Sequence, residues 1–216
     1  MLIRAKTREK DTYLRGGFPQ SLENGENLWR KRINSEFGGL PNMLIDDTLE
    51  YDRIWDMVYE KLKFNPSCKY NTTNHPMNVP LPFQISGNYA VYGINKFTHE
   101  QMDFTEKIIR EVFVSVTSEG QRMYALDWQH SAFIFDPRNE GEQKSVWKED
   151  DRYWGGGYNA YFPSFLPDGD YYFFIDEFFQ FGYLGHPWRQ EIWVFGDKLI
   201  EKIEEVYQIL GWEKIR

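Results

Sequence analysis

The sequence predicts an α+β domain, a mainly antiparallel sheet packed by helices on one face. Three observations carry this. Two segments before residue 120 show helix-capping signals ahead of an apolar stripe at helical spacing. From Arg122 the apolar period changes to two, and the period-two runs are joined by short turn signals, which can link only antiparallel neighbours. At 216 residues the chain is long enough for one full-sized domain with a genuine core.

The elements follow in order. Residues 1–45 hold eight Lys or Arg against five Asp or Glu, whereas residues 46–216 hold 17 against 28, a balance of −11. Gly16-Gly17 and Gly38-Gly39 flank a weakly amphipathic stretch of Leu22, Leu28, Trp29, Ile33 and Phe37. An N-terminal arm (1–45) distinct from the main domain (46–216) is therefore expected. The arm folding back on the acidic body is the favoured form, because Trp29, Ile33 and Phe37 need an apolar cover.

A helix capped by Asp47 or Thr48 follows, with Glu50 placed as in a capping box and a stripe of Ile54, Trp55, Val58, Tyr59 and Leu62; Pro66 should end it. Residues 65–82 are rich in Asn, Thr and Pro and read as a loop, and 83–94 as one or two strands broken at Gly87-Asn88. Thr98 with Gln101 opens a second helix, whose face is Ile108, Ile109, Val112, Phe113 and Val116 and whose stop is Gly120. Tyr124, Leu126 and Trp128 share one strand face, Gln129-His130 turns, and Ser131 to Phe135 returns. Residues 137–157 are charged and then glycine-rich, which suggests a mobile excursion or a lid ending in Trp154-Gly-Gly-Gly157. Pro167-Asp-Gly169 precedes a strand from Asp170 to Ile175, Asp176-Glu177 turns into a strand from Phe178 to Leu184, and Gly185-His-Pro-Trp188 turns into the last strand, Gln190 to Phe195. A helix from Asp197 to Leu210, stopped by Gly211, closes the chain. The last strand sets Ile192 and Val194 on one side and Trp193 and Phe195 on the other. Both faces are then apolar, so either helices cover both or one is an aromatic partner surface.

Composition excludes several classes. A net charge of −8 repels nucleic acid and anionic membrane, and it favours a protein partner with a basic surface. The mixed charges from Arg4 to Arg15 on so acidic a chain argue little for nucleic-acid binding, and the first twenty residues lack the apolar core of a secretion signal. The longest apolar run, Tyr171 to Ile175, is far short of the roughly 20 residues that span a bilayer. Cys68 stands alone, so no internal disulfide can form, and a cytoplasmic location is expected.

Histidine is scarce: His75, His99, His130 and His186. Only His130 and His186 combine a turn position with nearby carboxylates and aromatics. They converge if the two hairpins share one end of the sheet. One reading is a hydrolytic or metal-assisted enzyme in which Asp127 orients His130, His186 is a second base or ligand, and Glu177 or Glu191 completes the set, with Trp128, Gln129, Trp154, Trp188 and Arg189 as binding residues. The other is that these polar groups satisfy their turns, with Gly185 and Pro187 fixing the backbone and Trp188 plugging the sheet end. No His-x-x-x-His, paired cysteines or nucleophile elbow supports the first, so no metal and no cofactor are expected. Gly155-Gly-Gly157 lacks the ending and the strand-to-helix setting of a phosphate loop.

At Tyr124-Ala-Leu-Asp-Trp-Gln-His130, Phe135-Asp-Pro-Arg138, Leu166-Pro-Asp-Gly-Asp-Tyr-Tyr172 and Phe181-Gly-Tyr-Leu-Gly-His-Pro-Trp188 through Val194-Phe-Gly196, the chain resembles a bacterial family catalogued as domain of unknown function 2716. The likeness covers about 120 to 200 and reaches back toward Ile54-Trp55. It implies a bacterial origin and a single domain, and no activity. The functional expectation is a non-catalytic binding module, an inhibitor or immunity-type neutraliser of a basic partner; the alternative is a small-substrate hydrolase or metal-assisted enzyme using Asp127, His130 and His186.

Overall fold

The structure, a computed structural model, describes residues 42–66, 81–94, 98–139, 145–150, 152–153 and 155–216. Residues 1–41, residues 67–80 with Cys68 and His75, and Trp154 lie outside the described residues. All described residues belong to the unit Gly39–Arg216. Among the described residues strand pairing begins just before the expected boundary at residue 45, with β1 (Met43–Leu44).

Helix α1 (Thr48–Leu62) opens as its sequence implies, the Asp47 carboxylate accepting the Glu50 N–H at 2.8 Å. It stops earlier than Pro66 requires, because Lys63 takes a left-handed φ of 47° and turns Phe64 into the core against Phe83. Strand β2 (Tyr89–Gly93) is a single strand. Helix α2 (His99–Val116) carries a full capping box between Thr98 and Gln101. It ends at Thr117, ahead of Gly120, because an arginine from another part of the chain takes up its carbonyls.

Strands β3 (Met123–Asp127) and β4 (Ala132–Phe135) form the expected hairpin. The described residues of the expected excursion are instead largely a second hairpin, β5 (Ser145–Glu149) with β6 (Gly157–Tyr161). Gly155 and Gly156 supply its turn with φ of 100° and 79°, which other residues rarely adopt. Strand β7 (Tyr172–Asp176) is followed by β8 (Gly182–His186), which starts four residues later than expected. The fully buried Asp176 carboxylate accepts the N–H groups of Phe178, Gln180 and Phe181, holding 177–181 as a turn. After β9 (Glu191–Phe195), helix α3 (Asp197–Val206) is shorter than expected, and β10 (Glu213–Lys214) returns to pair with β2.

The large sheet runs β1-β4-β3-β7-β8-β9-β2-β10, and every described pairing in it is antiparallel. Its two faces form separate cores. Tyr124, Leu126, Phe173, Leu184 and Trp193 pack under Ile54, Trp55, Val58 and Leu62 of α1. Ala125, Phe133, Phe174, Tyr183 and Val194 pack under Ile109, Val112 and Phe113 of α2 and Leu199 and Ile203 of α3. Helices therefore lie on both faces, not on one, because alternate residues of the central strands are apolar on both sides and each set must leave water. No helix among the described residues is long and apolar enough to cross a membrane.

Arg138 explains why α2 ends where it does. Its guanidinium donates to Thr117 Oγ1 at 2.8 Å, Ser118 O at 3.0 Å, Val114 O at 2.9 Å and Thr117 O, satisfying carbonyls that a helix end leaves unpaired. Replacing Arg138 with Met is expected to lower unfolding free energy by about 2–4 kcal/mol, and Lys should restore only part of it because a point charge cannot fork across several carbonyls. Urea denaturation of the three proteins measures this.

Candidate functional site

Strand register decides which turns meet. Asp127 pairs with Tyr172, Tyr172 with Gly185, and His186 with Glu191, so the β3–β4 turn, the segment 168–171 and the β8–β9 turn occupy one end of the sheet. At that end Gln129 takes a φ of 67° and the chain closes on itself, with the His130 N–H donating to Asp127 O at 3.1 Å and the Asp127 N–H to Ser131 O at 2.8 Å. The His130 ring folds back toward two carboxylates: its Nδ1 lies 3.2 Å from Asp127 Oδ1 and 3.6 Å from Asp170 Oδ2. Asp170 is oriented by its own backbone, Oδ1 accepting the Tyr171 N–H at 2.8 Å. Next to them the Tyr172 hydroxyl donates to Asp168 at 2.6 Å.

The electrostatics are unbalanced. Burial pushes the Asp127 carboxyl up to about 6; His130 opposes this, and Asp170 and Asp168 reinforce it. Burial also raises Asp170, against the Tyr171 N–H and His130. Among the described residues no Lys or Arg forms an ion pair with either carboxylate, and the basic side chain beside them is His130, 60% exposed.

His186 is placed differently. It is 2% exposed and both ring nitrogens are engaged: Nδ1 accepts the Arg189 N–H at 3.3 Å, which leaves the ring proton on Nε2, 3.2 Å from the Tyr171 hydroxyl. Burial, helped by the nearby Arg189 charge, holds its pKa down to about 3, so the ring is neutral. The two histidines are served by adjacent residues, Asp170 reaching His130 and Tyr171 reaching His186. His186 does not join the carboxylate cluster.

The other expected residues divide similarly. Trp128 is half-buried on Tyr171 and Phe64, with Nε1 donating to the Tyr59 hydroxyl at 3.1 Å. Gln129 is exposed. Trp188 packs at the sheet end against Tyr171, at 5.2 Å between ring centres, and is half-buried there. Arg189 donates to Glu191 at 2.8 Å, and the same carboxylate accepts from Trp193 Nε1 at 3.0 Å, which ties Glu191 to its own strand. Glu177 follows β7 at the far end of the sheet. Gly185 is a strand residue rather than a turn residue; a Cβ there would meet the Pro167 ring at 3.0 Å, so the requirement is space and not an unusual backbone angle. The turn is Pro187–Gln190, closed by Gln190 N–H to Pro187 O and by a φ of 51° at Gln190.

Sequence reasoning missed Asp170, which it read as the start of a strand. The signal was present in Leu166-Pro-Asp-Gly-Asp170: a turn with two carboxylates entering the strand that neighbours Asp127. Without the register of β3 on β7, nothing in the spacing joined them.

The chain that builds this antiparallel α+β domain, with a polar turn cluster at one end of its sheet, belongs to a family known by sequence. The model of the DUF2716 family, described as protein of unknown function, matches residues 45–200, and the chain belongs to that family. It is 32% identical over 163 residues to an uncharacterized protein, YxiI, of Bacillus subtilis (strain 168), covering 74% of this chain and 90% of that one. No solved structure matches.

A pH signature follows from His186. Its folded pKa near 3 lies below the ordinary 6.5, so its contribution to stability is complete above pH 6.5 and shrinks as acid protonates the unfolded chain in preference to the folded one. Below about pH 6 this one ring should remove about 1.4 kcal/mol per pH unit. Guanidinium denaturation from pH 8 to 5 should show that slope in the wild type and a flatter one in His186→Gln.

Proposed function

We propose that this protein is a non-catalytic binding module of the bacterial cytoplasm that captures a basic protein partner, in the manner of an inhibitor or immunity-type neutraliser. The observation that carries this is the outer face of the β5–β6 hairpin. Register sets Trp147 opposite Asn159 and Ser145 opposite Tyr161, and on this face Trp147 is 54% and Tyr161 62% exposed, with Glu149 between them and the turn. Large rings left in water beside polar residues are the anchors that dominate protein interfaces. The Trp147 ring is also held in place, because it lies over Gly157, where a Cβ would sit 2.8 Å from it. An ordered ring loses less freedom on docking than a mobile one.

Charge supplies the complement. Residues 46–216 carry a balance of −11, which speeds encounter with a cationic surface. The hairpin is fixed to the body by Ser131 Oγ donating to Tyr161 O at 2.8 Å and by Lys148 pairing with Asp46 at 3.0 Å, so it is a firm platform. The enzymatic alternative draws less support, since His186 and Glu191 are committed to Arg189, Tyr171 and Trp193.

Affinity capture from a bacterial host lysate, with the whole chain as bait, tests the proposal. A protein of basic pI should be enriched by wild type, released as salt rises from about 0.05 to 0.5 M, and weakened roughly 30-fold or more by Trp147→Ala with Tyr161→Ala. Enrichment of no basic protein, or equal capture by the double variant with an unchanged melting temperature, overturns it.

A further inference from the structure

We propose that Asp127, His130 and Asp170 form a binding site for one divalent transition-metal ion, of the Mn²⁺ or Zn²⁺ class. One ligand atom from each of the three residues lies within 4.8 Å of the other two. The separations around His130 fit a shared ion as well as they fit hydrogen bonding. Donors held about 2.1 Å from a common ion are separated by about 3.0 Å at octahedral angles and about 3.4 Å at tetrahedral ones. The His130 nitrogen stands 3.2 Å from one carboxylate oxygen and 3.6 Å from the other. A single N–H can point well at only one of those oxygens, and the second carboxylate then faces its neighbour's charge.

Charge balance points the same way. Asp127 and Asp170 are largely covered, with side chains 16% and 21% exposed, and among the described residues only His130 pairs with them. Even protonated, that ring leaves the pair one charge short of neutrality, with Asp168 adjacent, whereas a divalent ion held by neutral His130 and two carboxylates is compensated in full. The donors are also aimed. Asp170 Oδ1 is occupied by the Tyr171 N–H, which turns Oδ2 inward, and the left-handed Gln129 brings His130 over Asp127. One imidazole and two carboxylates suit a borderline ion. Ca²⁺ takes six to eight oxygens and Mg²⁺ keeps oxygen and water, so neither fits this set as well. Three protein donors and an exposed ring leave positions open to solvent.

This inference goes beyond the partner-binding reading and does not depend on it, since Trp147 and Tyr161 are not ligands. The test uses the full chain and the metal alone. Calorimetric titration of metal-free protein with MnCl2 or ZnCl2 should show one saturable site, and Asp170→Asn and His130→Ala should each weaken it about tenfold or more while Trp147→Ala leaves it unchanged. Pulsed electron paramagnetic resonance of bound Mn²⁺ should show coupling to a nitrogen that disappears in His130→Ala. Melting curves of the metal-free variants establish that they fold. Absence of saturable binding up to about 1 mM, tighter binding of Ca²⁺ or Mg²⁺ than of Mn²⁺, or affinity that survives both substitutions in folded protein overturns the proposal.

Discussion

The constraint on which the rest depends is that the central strands are apolar on both faces. In β7, Phe173 and Ile175 face one core while Phe174 faces the other, and β9 repeats the arrangement with Trp193 and Phe195 against Ile192 and Val194. Such a sheet cannot leave a face in water, so α1 must cover one side and α2 with α3 the other. Aromatic rings make this covering specific. Phe64, Phe83, Tyr171 and Phe173 meet largely edge to face, with centres 5.0–6.3 Å apart for the T-shaped pairs, and such packing tolerates little sliding of α1 over the sheet.

A fixed register has chemical consequences at one end of the sheet. Because β3, β7 and β8 are locked side by side, the adjacent residues Asp170 and Tyr171 reach two different histidines. Tyr171 belongs to the aromatic core and draws His186 in with it. Asp170 belongs to the acidic turn with Asp127 and His130. Two histidines that look equivalent in the sequence thereby acquire opposite characters: a buried neutral ring with no free nitrogen, and an exposed ring facing excess negative charge.

The hairpin β5–β6 sits beside that turn and is the other outward-facing feature. Its inner residues Val146, Tyr158 and Ala160 pack on the α2 core, so the strands' alternation leaves Trp147 and Tyr161 on the outer face. The same alternation that builds a core on one side makes a candidate docking face on the other. Among the described residues the large sheet ends in β1 and β10, each two residues long.

The sequence by itself determined the class of fold, the caps of α1 and α2, the β3–β4 hairpin and its polar turn at Gln129-His130. These are set by neighbours a few residues apart: Thr98 and Gln101 cap each other whatever else the chain does, and alternation marks a strand locally. Tertiary structure decided the rest. The ends of α1 and α2 moved because Phe64 was pulled into a core and Arg138 arrived from beyond β4; the excursion became a hairpin because Gly157 could accept the Trp147 ring; and Gly185 was required by Pro167, 18 residues earlier. Most of all, the choice of Asp170 over His186 as the partner of Asp127 and His130 rests on the pairing of β3 with β7. Register is a property of two distant segments held by the packing of both sheet faces, and no spacing within either segment contains it.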